Sequence, residues 1–570
     1  MNGEGIVGPT STEDMNKANE EIYEHGHHSD DEKNVAEASQ THEAVTSEIH
    51  LAEANQYHEV ELSEPHEAQA IDQDLQNPNP NCSNSLLQAP ASIKRWMTSN
   101  SIDFSDALRF VDGPDSGISV LSLCDLAVGD LVATIPKLSC LTVKTSAARE
   151  MIEEAELEGS LGLCVAVMYE RSLGSDSPWD GYLQVLPERE SVPLVWSLEE
   201  ADSLLSGTEL DKVVKEDKAC LCEDWKEHIE PLILSESFKL DPSYFGVEQY
   251  FSAKSLVSSR SFEIDDYHGY GMVPLADLFN HKTAAENVHF TTQNSSSSSD
   301  DEDDGDISQI SDDEKSVVET LSSSPSGNSG DNFTNSGDDP NNLEMIVVRE
   351  VQAGAEVFNT YGIMGNAALL HRYGFTEPDN TFDIVNIDLN LVLKHCSSSF
   401  SSRYIRSRVS LWRRLNYSGC TSENSEYFEI SFNGEPQIEL IVLVYIVFLP
   451  EYAYEKLNCM VDFFVEAIDS TNLIKLINIT RNNCSIGAEK INELLLTRDV
   501  RNALKSLADM RETFYGPNTL EDDESRLRIR SSVKDRKLYH SLVLRVCERR
   551  ILSRLRVYAS GGYKTKKRKV

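Results

Sequence analysis

The chain has 570 residues, a length that suggests two or three domains. Its 95 acidic side chains against 51 basic ones leave a net charge of -44, which argues against direct contact with nucleic acid, whose phosphates need a basic surface, and favours basic partners drawn in by a long-range negative field. The 11 cysteines are an odd number. Apart from Cys220 and Cys222 they are scattered singly, so neither a structural zinc nor a disulfide framework is expected, and reduced thiols of an intracellular protein are.

Residues 1–90 are rich in Glu, Asp, Ser, Asn and Gln and poor in aromatics. Such a segment buries too little apolar area to offset its ordering entropy, so a disordered acidic region is expected, with His25, His27 and His28 as parts of a solvated tail. The first residues have neither a basic nor an apolar region, so no secretory signal is expected, and they are too acidic for a transit peptide.

Order is expected from Ile93-Lys-Arg-Trp96 onward. Strand-like runs follow at Ile118-Ser-Val-Leu121 and Leu131-Val-Ala-Thr-Ile135, punctuated by Gly113, Gly117 and Gly129 as hairpins require. From about 145 to 255 the period becomes helical, as in Leu161 to Glu170, and strand signals return at 271–290 and 345–358. Residues 294–342, full of Ser, Asp, Asn and Gly, are expected as a disordered acidic loop at the tip of a hairpin joining Asn287–Phe290 to Met345–Val348. Ser308 and Ser311, upstream of Asp312-Asp313-Glu314, resemble acid-directed kinase sites.

From about 380 to 558 the chain reads mostly helical, and Tyr539 to Leu555 is the clearest amphipathic stretch. The longest apolar run, Leu440 to Leu449, is too short for a membrane helix and stops at Pro450; a buried helix and no membrane association are expected. Lys564-Thr-Lys-Lys-Arg-Lys-Val570 is an isolated basic run of the kind read by nuclear import receptors, which implies a nuclear protein.

Two further stretches carry chemistry. Val273-Pro-Leu-Ala-Asp277-Leu-Phe-Asn280-His281 ends in an Asn-His pair, and Glu356-Val-Phe-Asn-Thr-Tyr361-Gly362 ends in Tyr-Gly. Taken singly, each pair is commoner as a turn or a core tyrosine. The surrounding text changes that: Gly365-Asn-Ala-Ala-Leu-Leu-His-Arg-Tyr373-Gly-Phe375-Thr-Glu-Pro378, Ser258-Ser-Arg260-Ser-Phe262 and Ser177-Pro-Trp179-Asp-Gly-Tyr182-Leu-Gln-Val-Leu-Pro187 all continue one pattern. That pattern resembles the SET-domain protein methyltransferases of the Rubisco large-subunit methyltransferase branch. The Asn-Thr-Tyr-Gly wording resembles that of the ribosomal-protein lysine methyltransferases of yeast and their animal N-lysine relative.

The resemblance implies an α+β fold. A split SET β domain over 91–376 would contain the helical insertion, and an all-α C-terminal substrate-binding domain over 377–559 would precede a basic tail at 560–570. It implies S-adenosylmethionine as methyl donor, no metal, and a lysine of a basic protein (ribosomal, histone or other nuclear) as acceptor. Tyr361 would be the catalytic residue, its hydroxyl aimed at the transferring methyl. Asn280 would hold the methionine end of the cofactor, the His281 backbone its adenine, and Arg260 its carboxylate through a guanidinium fork. Arg260, Phe262, Asp277, Tyr373 and Trp179 would contact substrate or line its channel, although Trp179 reads equally well as a core tryptophan and Asp277 as a partner of nearby backbone donors.

One departure stands out. The first cofactor loop of the family reads Gly-x-Gly, and here it is Asp115-Ser116-Gly117; a β-carbon at the first position restricts positive φ. Two other readings stay open: a protein-histidine methyltransferase of the same fold, and a non-catalytic binding module.

Overall fold

The computed structural model describes residues 89–113, 117–235, 237–291, 341–415, 427–461, 494–529 and 535–561. The expected N-terminal disorder, the acidic loop with Ser308 and Ser311, the basic tail, and Asp115 and Ser116 lie outside the described residues.

The first half is built from short antiparallel pieces. β1 (Asp103–Phe104) and β4 (Leu131–Pro136) pair, β4 pairs with β9 (Asn342–Val347), and β9 pairs with β8 (Val288–Thr291). Alternation sets the facing: Leu343, Met345 and Val347 of β9 point into the core, with Val132 and Ile135 of β4 beside them. The expected hairpin is present, with Val288 opposite Val347 and Thr291 opposite Glu344. A second sheet orders β5 (Leu141–Thr142), β7 (Gly269–Met272) and β6 (Ser261–Asp265), and β2 (Leu108–Gly113) and β3 (Gly117–Ser122) form a separate hairpin.

The insertion between β5 and β6 is helical, as its periodicity indicates. Helix α1 (Gly159–Leu173) buries every residue from Gly162 to Val167 and packs against α2 (Val247–Arg260). Glu170 of α1 is buried and fully engaged, accepting from the Ser146 hydroxyl, the Ala147 amide and the Ser177 hydroxyl at 2.7–2.8 Å. That anchors the Ser177–Trp179 turn. Helix α2 ends at Arg260 and passes straight into β6, delivering Arg260 and Phe262 to the sheet.

Beyond α3 (Asn366–Tyr373) the chain is mostly helical, but the all-α expectation needs correction. β10 (Val385–Asp388) and β11 (Tyr427–Ile430) form an antiparallel pair in this half. Val385 and Ile387 face inward with Phe428 and Ile430, a period-2 pattern too short to stand out among helical neighbours. Helix α4 (Ile438–Val447) is buried from Leu440 to Val447, as its apolar run implies. Among the described residues no helix is long and apolar enough to cross a membrane.

The last of the described helices also differs from expectation. Helix α6 (Arg536–Ala559) has no charged solvent face along its middle: every residue from Ser541 to Arg549 is buried. Arg545 and Arg549 both pair with the fully buried Asp523, at 3.0 and 2.6 Å. Buried charges persist only when paired and hydrogen-bonded, and here the pairing is dense. Arg511 of α5 (Arg498–Glu512) donates to the Gly207 and Asn386 carbonyls and to Glu209. Glu548 accepts from the Glu209 amide and the Tyr515 hydroxyl. The two halves therefore share a polar lock around Ser206–Glu209. They also share an apolar one, in which Trp196, Leu205 and Leu210 of the insertion meet Leu370 and Leu544.

Candidate active site

The chain from Gly271 to Phe279 is buried without interruption. Within it Leu275 takes φ +80°, a conformation costing a non-glycine residue about 1–3 kcal/mol. The bend starts a short turn, Ala276–Leu278, closed by the Asp277 amide on the Val273 carbonyl and the Leu278 amide on the Leu275 carbonyl. The turn exits at Phe279-Asn280-His281, which runs parallel to Asn359: His281 and Asn359 form an isolated parallel bridge, and the Asn359 amide donates to the Asn280 carbonyl at 2.9 Å. The two motifs, about 80 residues apart in sequence, are thus brought side by side.

Tyr361 is fixed at both ends. Its amide donates to Nδ1 of His281 and its hydroxyl to the Phe279 carbonyl, each at 3.0 Å. Its ring stacks on His281, centroids 5.1 Å apart, and on Tyr373, 4.4 Å apart, while Phe375 lies 6.3 Å from both of those neighbours. Stacked rings of this kind form a narrow apolar wall with polar tips. Burial pushes the Tyr361 phenol above its usual range, and that of Tyr373 too, so both stay protonated. Burial pushes the His281 imidazole down, consistent with a neutral ring whose Nδ1 accepts.

Beside this wall lies a polar corner. The Asn280 amide nitrogen donates to the Ser119 hydroxyl at 3.2 Å and to the Glu356 carboxylate at 2.8 Å. Ser119 sits on β3, two residues after Gly117, so the first glycine loop and the Asn-His motif meet here. Gly117 has φ +87°, and nothing lies within 4 Å of the place a β-carbon would occupy. The backbone there is open to close approach by a ligand.

Behind the turn runs a charged array. Arg260 donates through Nε to Glu190 at 2.6 Å, and through Nη1 to the Asp277 carbonyl at 3.0 Å and carboxylate at 3.3 Å. The same carboxylate oxygen accepts from the Tyr182 hydroxyl at 2.9 Å, and the Asp277 side chain is 0% exposed. The other oxygen, Oδ1, is buried without a hydrogen-bond partner. Burial pushes Asp277 above the usual carboxylate range, against the pull of Arg260 and Tyr182. Burial would lower Arg260, but Glu190 and Asp277 outweigh it and keep the guanidinium charged.

The structure therefore gathers Gly117, Arg260, Asp277, Asn280, His281, Tyr361 and Tyr373 at one place. Phe262 lies on β6 and packs on Phe290, centroids 5.1 Å apart. Trp179 is 5% exposed, a core position, with its indole N–H on the Ser139 carbonyl. Sequence reading missed Glu190, Ser119, Glu356 and the Phe279 carbonyl. Glu356 stands inside the Tyr-Gly motif and could have been weighed; Glu190, in Pro187-Glu-Arg-Glu190, carries no signal of its role. Among the described residues no group of three or more His, Cys, Asp or Glu side chains could hold a metal ion.

No protein-family model matches the chain. It is 27% identical over 345 residues to the N-lysine methyltransferase setd6 of Danio rerio, covering 56% of this chain and 64% of that one. It is 25% identical over 342 residues to ribosomal lysine N-methyltransferase 3 of Saccharomyces cerevisiae, covering 50% and 61%. The match thus spans a little over three fifths of the length of these curated relatives. In fold, it matches the SET domain of LSMT bound to lysine and AdoHcy with a TM-score of 0.54 at 19% identity, over 84% of this chain and 92% of that one. The structure of Rubisco LSMT bound to AdoMet matches with a TM-score of 0.54 at 18% identity, over 83% and 92%. In sequence and in fold the chain resembles the SET-domain lysine methyltransferases of the Rubisco large-subunit branch.

Proposed function

We propose that this protein is an S-adenosylmethionine-dependent protein-lysine N-methyltransferase acting on a basic nuclear or ribosomal protein. One observation carries the reading: the parallel pairing of Asn280-His281 with Asn359 sets the Tyr361 hydroxyl inside a wall of stacked aromatic rings.

The residues suit the cofactor. The open backbone at Gly117, the polar corner of Ser119, Asn280 and Glu356, and the His281 main chain would hold its amino-acid and adenosine parts. The carboxyl groups of Glu190 and Asp277 face the Arg260 guanidinium behind that corner. Bound there, S-adenosylmethionine supplies an electrophilic methyl group on sulfonium.

The protein must present a neutral amine, because an ammonium has no lone pair. Moving a lysine pKa from ~10.4 to ~7 requires roughly 4.6 kcal/mol, and desolvation between Tyr361 and Tyr373 works in that direction. Tyr361 cannot serve as base, since burial keeps its phenol protonated. Its hydrogen is held by the Phe279 carbonyl, which leaves the oxygen lone pairs to orient the reacting groups. Holding donor and acceptor in line supplies the rest of the acceleration through lost translational and rotational freedom.

The test is transfer of labelled methyl from S-adenosylmethionine to purified ribosomal proteins and histones, followed by amino-acid analysis. Methyl-lysine is the expected product. Methyl-histidine, or the absence of donor binding by calorimetry, would overturn the reading. Nuclear residence is proposed from Lys564–Val570; deleting that run from a fluorescent fusion is expected to shift it to the cytoplasm.

A further inference from the structure

We propose that Glu356 is a positioning residue for the donor site: it holds the Asn280 side-chain amide with the nitrogen turned to the protein and the oxygen left to the ligand. That makes the corner selective for the ammonium of an amino-acid ligand over its carboxylate. The inference rests on the reading of the site given above.

Three stretches of chain converge on this amide. Asn280 leaves the Ala276–Leu278 turn with its main chain pinned, because its carbonyl accepts from the Asn359 amide at 2.9 Å. The residues just before Asn359 run antiparallel to β3. Glu356 stands opposite Leu121, the Val357 amide donates to the Val120 carbonyl at 2.8 Å, and the Ser122 amide donates to the Ala355 carbonyl at 2.9 Å. Glu356 and Ser119 therefore stand on backbones that are already tied together. Into that frame the Asn280 nitrogen donates twice, to the Ser119 hydroxyl at 3.2 Å and to Oε1 of Glu356 at 2.8 Å.

The two partners are not equivalent. A hydroxyl donates or accepts, so Ser119 would take either end of an asparagine amide. A carboxylate has no hydrogen to give, so the Asn280 atom 2.8 Å from Glu356 has to be the nitrogen. Both of its hydrogens are then spent on protein oxygens. Among the described residues none donates to the Asn280 oxygen, and the side chain is only half-buried. Whatever meets that oxygen must bring a donor. An ammonium brings three, while a carboxylate brings only lone pairs and is repelled by Glu356 as well. Gly117, with open space around it, begins the strand that carries Ser119, so the backbone leaves room for the approach.

A positioning residue and a plain tie between motifs differ in what they change. Calorimetry on the full chain compares S-adenosylhomocysteine with the same thioether lacking only its α-amino group. Wild type is expected to prefer the amine by about 10- to 100-fold, the worth of a hydrogen bond to a charged group. In Glu356→Ala that preference is expected to fall below about threefold, while affinity for the deaminated compound stays within about threefold of wild type. Glu356→Met, close in volume and without an acceptor, is expected to behave alike and stands in if the alanine variant does not fold. Glu356→Gln keeps an oxygen for the Asn280 nitrogen and is expected to retain the preference to within about threefold. An undiminished preference in the alanine and methionine variants would overturn the proposal while leaving the reaction assigned. So would equal weakening of both compounds, which marks a tie and nothing more. Wild-type protein that binds neither compound would sink the assignment of the reaction itself, and this proposal with it.

Discussion

The Tyr361 hydroxyl donates to the main-chain carbonyl of Phe279 at 3.0 Å, a bond between the two motifs rather than within either. Removing that oxygen therefore tests chemistry and assembly together. Tyr361→Phe is expected to lose about 1 kcal/mol of stability, the net worth of one hydrogen bond. Turnover is expected to fall by roughly a hundredfold or more, in line with the loss of a preorganised polar group at the reacting centre. Single-turnover transfer and urea unfolding on one preparation check both.

His540 of α6 accepts from the Thr376 amide through Nδ1, beside Phe375 of the aromatic wall. Burial, with Arg536 adding to it, pushes its pKa down to about 4. A histidine depressed below its unfolded value of about 6.5 resists protonation only while folded, so its contribution is present above that value and is lost as pH falls from about 6.5 toward 4. The loss is at most roughly 3 kcal/mol for a shift of that size. The difference in urea midpoint between wild type and His540→Gln, followed from pH 7 to pH 4, should shift against the wild type as pH drops. A constant difference would contradict the assignment.

Glu548 has the opposite sign. Burial pushes it up to about 8, with Glu209 nearby adding to the shift against the pull of Arg511. A raised carboxyl contributes stability below its unfolded pKa and loses it as pH climbs toward the folded one, here across about 4.5 to 8. Glu548→Gln keeps a neutral amide at that place. It is expected to flatten the fall of melting temperature over that interval, measured by scanning calorimetry.

Gly207 has φ +77°, and a β-carbon there would stand 2.3 Å from the Phe514 carbonyl oxygen. Backbone faces backbone, so neither can move aside cheaply. Gly207→Ala is expected to cost roughly 2–4 kcal/mol from positive φ and overpacking combined. Because Arg511 donates to the Gly207 carbonyl, the loss should appear as weakened attachment of α5 to the insertion, visible as faster amide exchange in both.

Much of this site could be read from the chain, since Asn280-His281 and Asn359–Gly362 are each contiguous in sequence. What could not be read depends on three-dimensional coincidence. Glu190 meets Arg260 across 70 residues, and no local pattern announces that meeting. The β10–β11 pair was hidden because four-residue alternation at Val385–Asp388 competes poorly with the long helical periods around it. The buried arginines of α6 misled for a related reason. Charge in a helical pattern ordinarily marks solvent, but Asp523, 22 residues before Arg545, supplies the counter-ion that takes it inside.

Helix α6 carries an implication for dissecting this protein. Through His540 it props the Thr376 backbone, and Cys547 lies 3.8 Å from Asn366, the residue that fastens Glu377. The aromatic wall and helix α6 are thus one mechanical piece. A fragment cut at residue 376 would carry the Asn-His and Tyr-Gly pairs and still lack the scaffolding behind Phe375, so the protein is not divisible where its sequence invites the scissors.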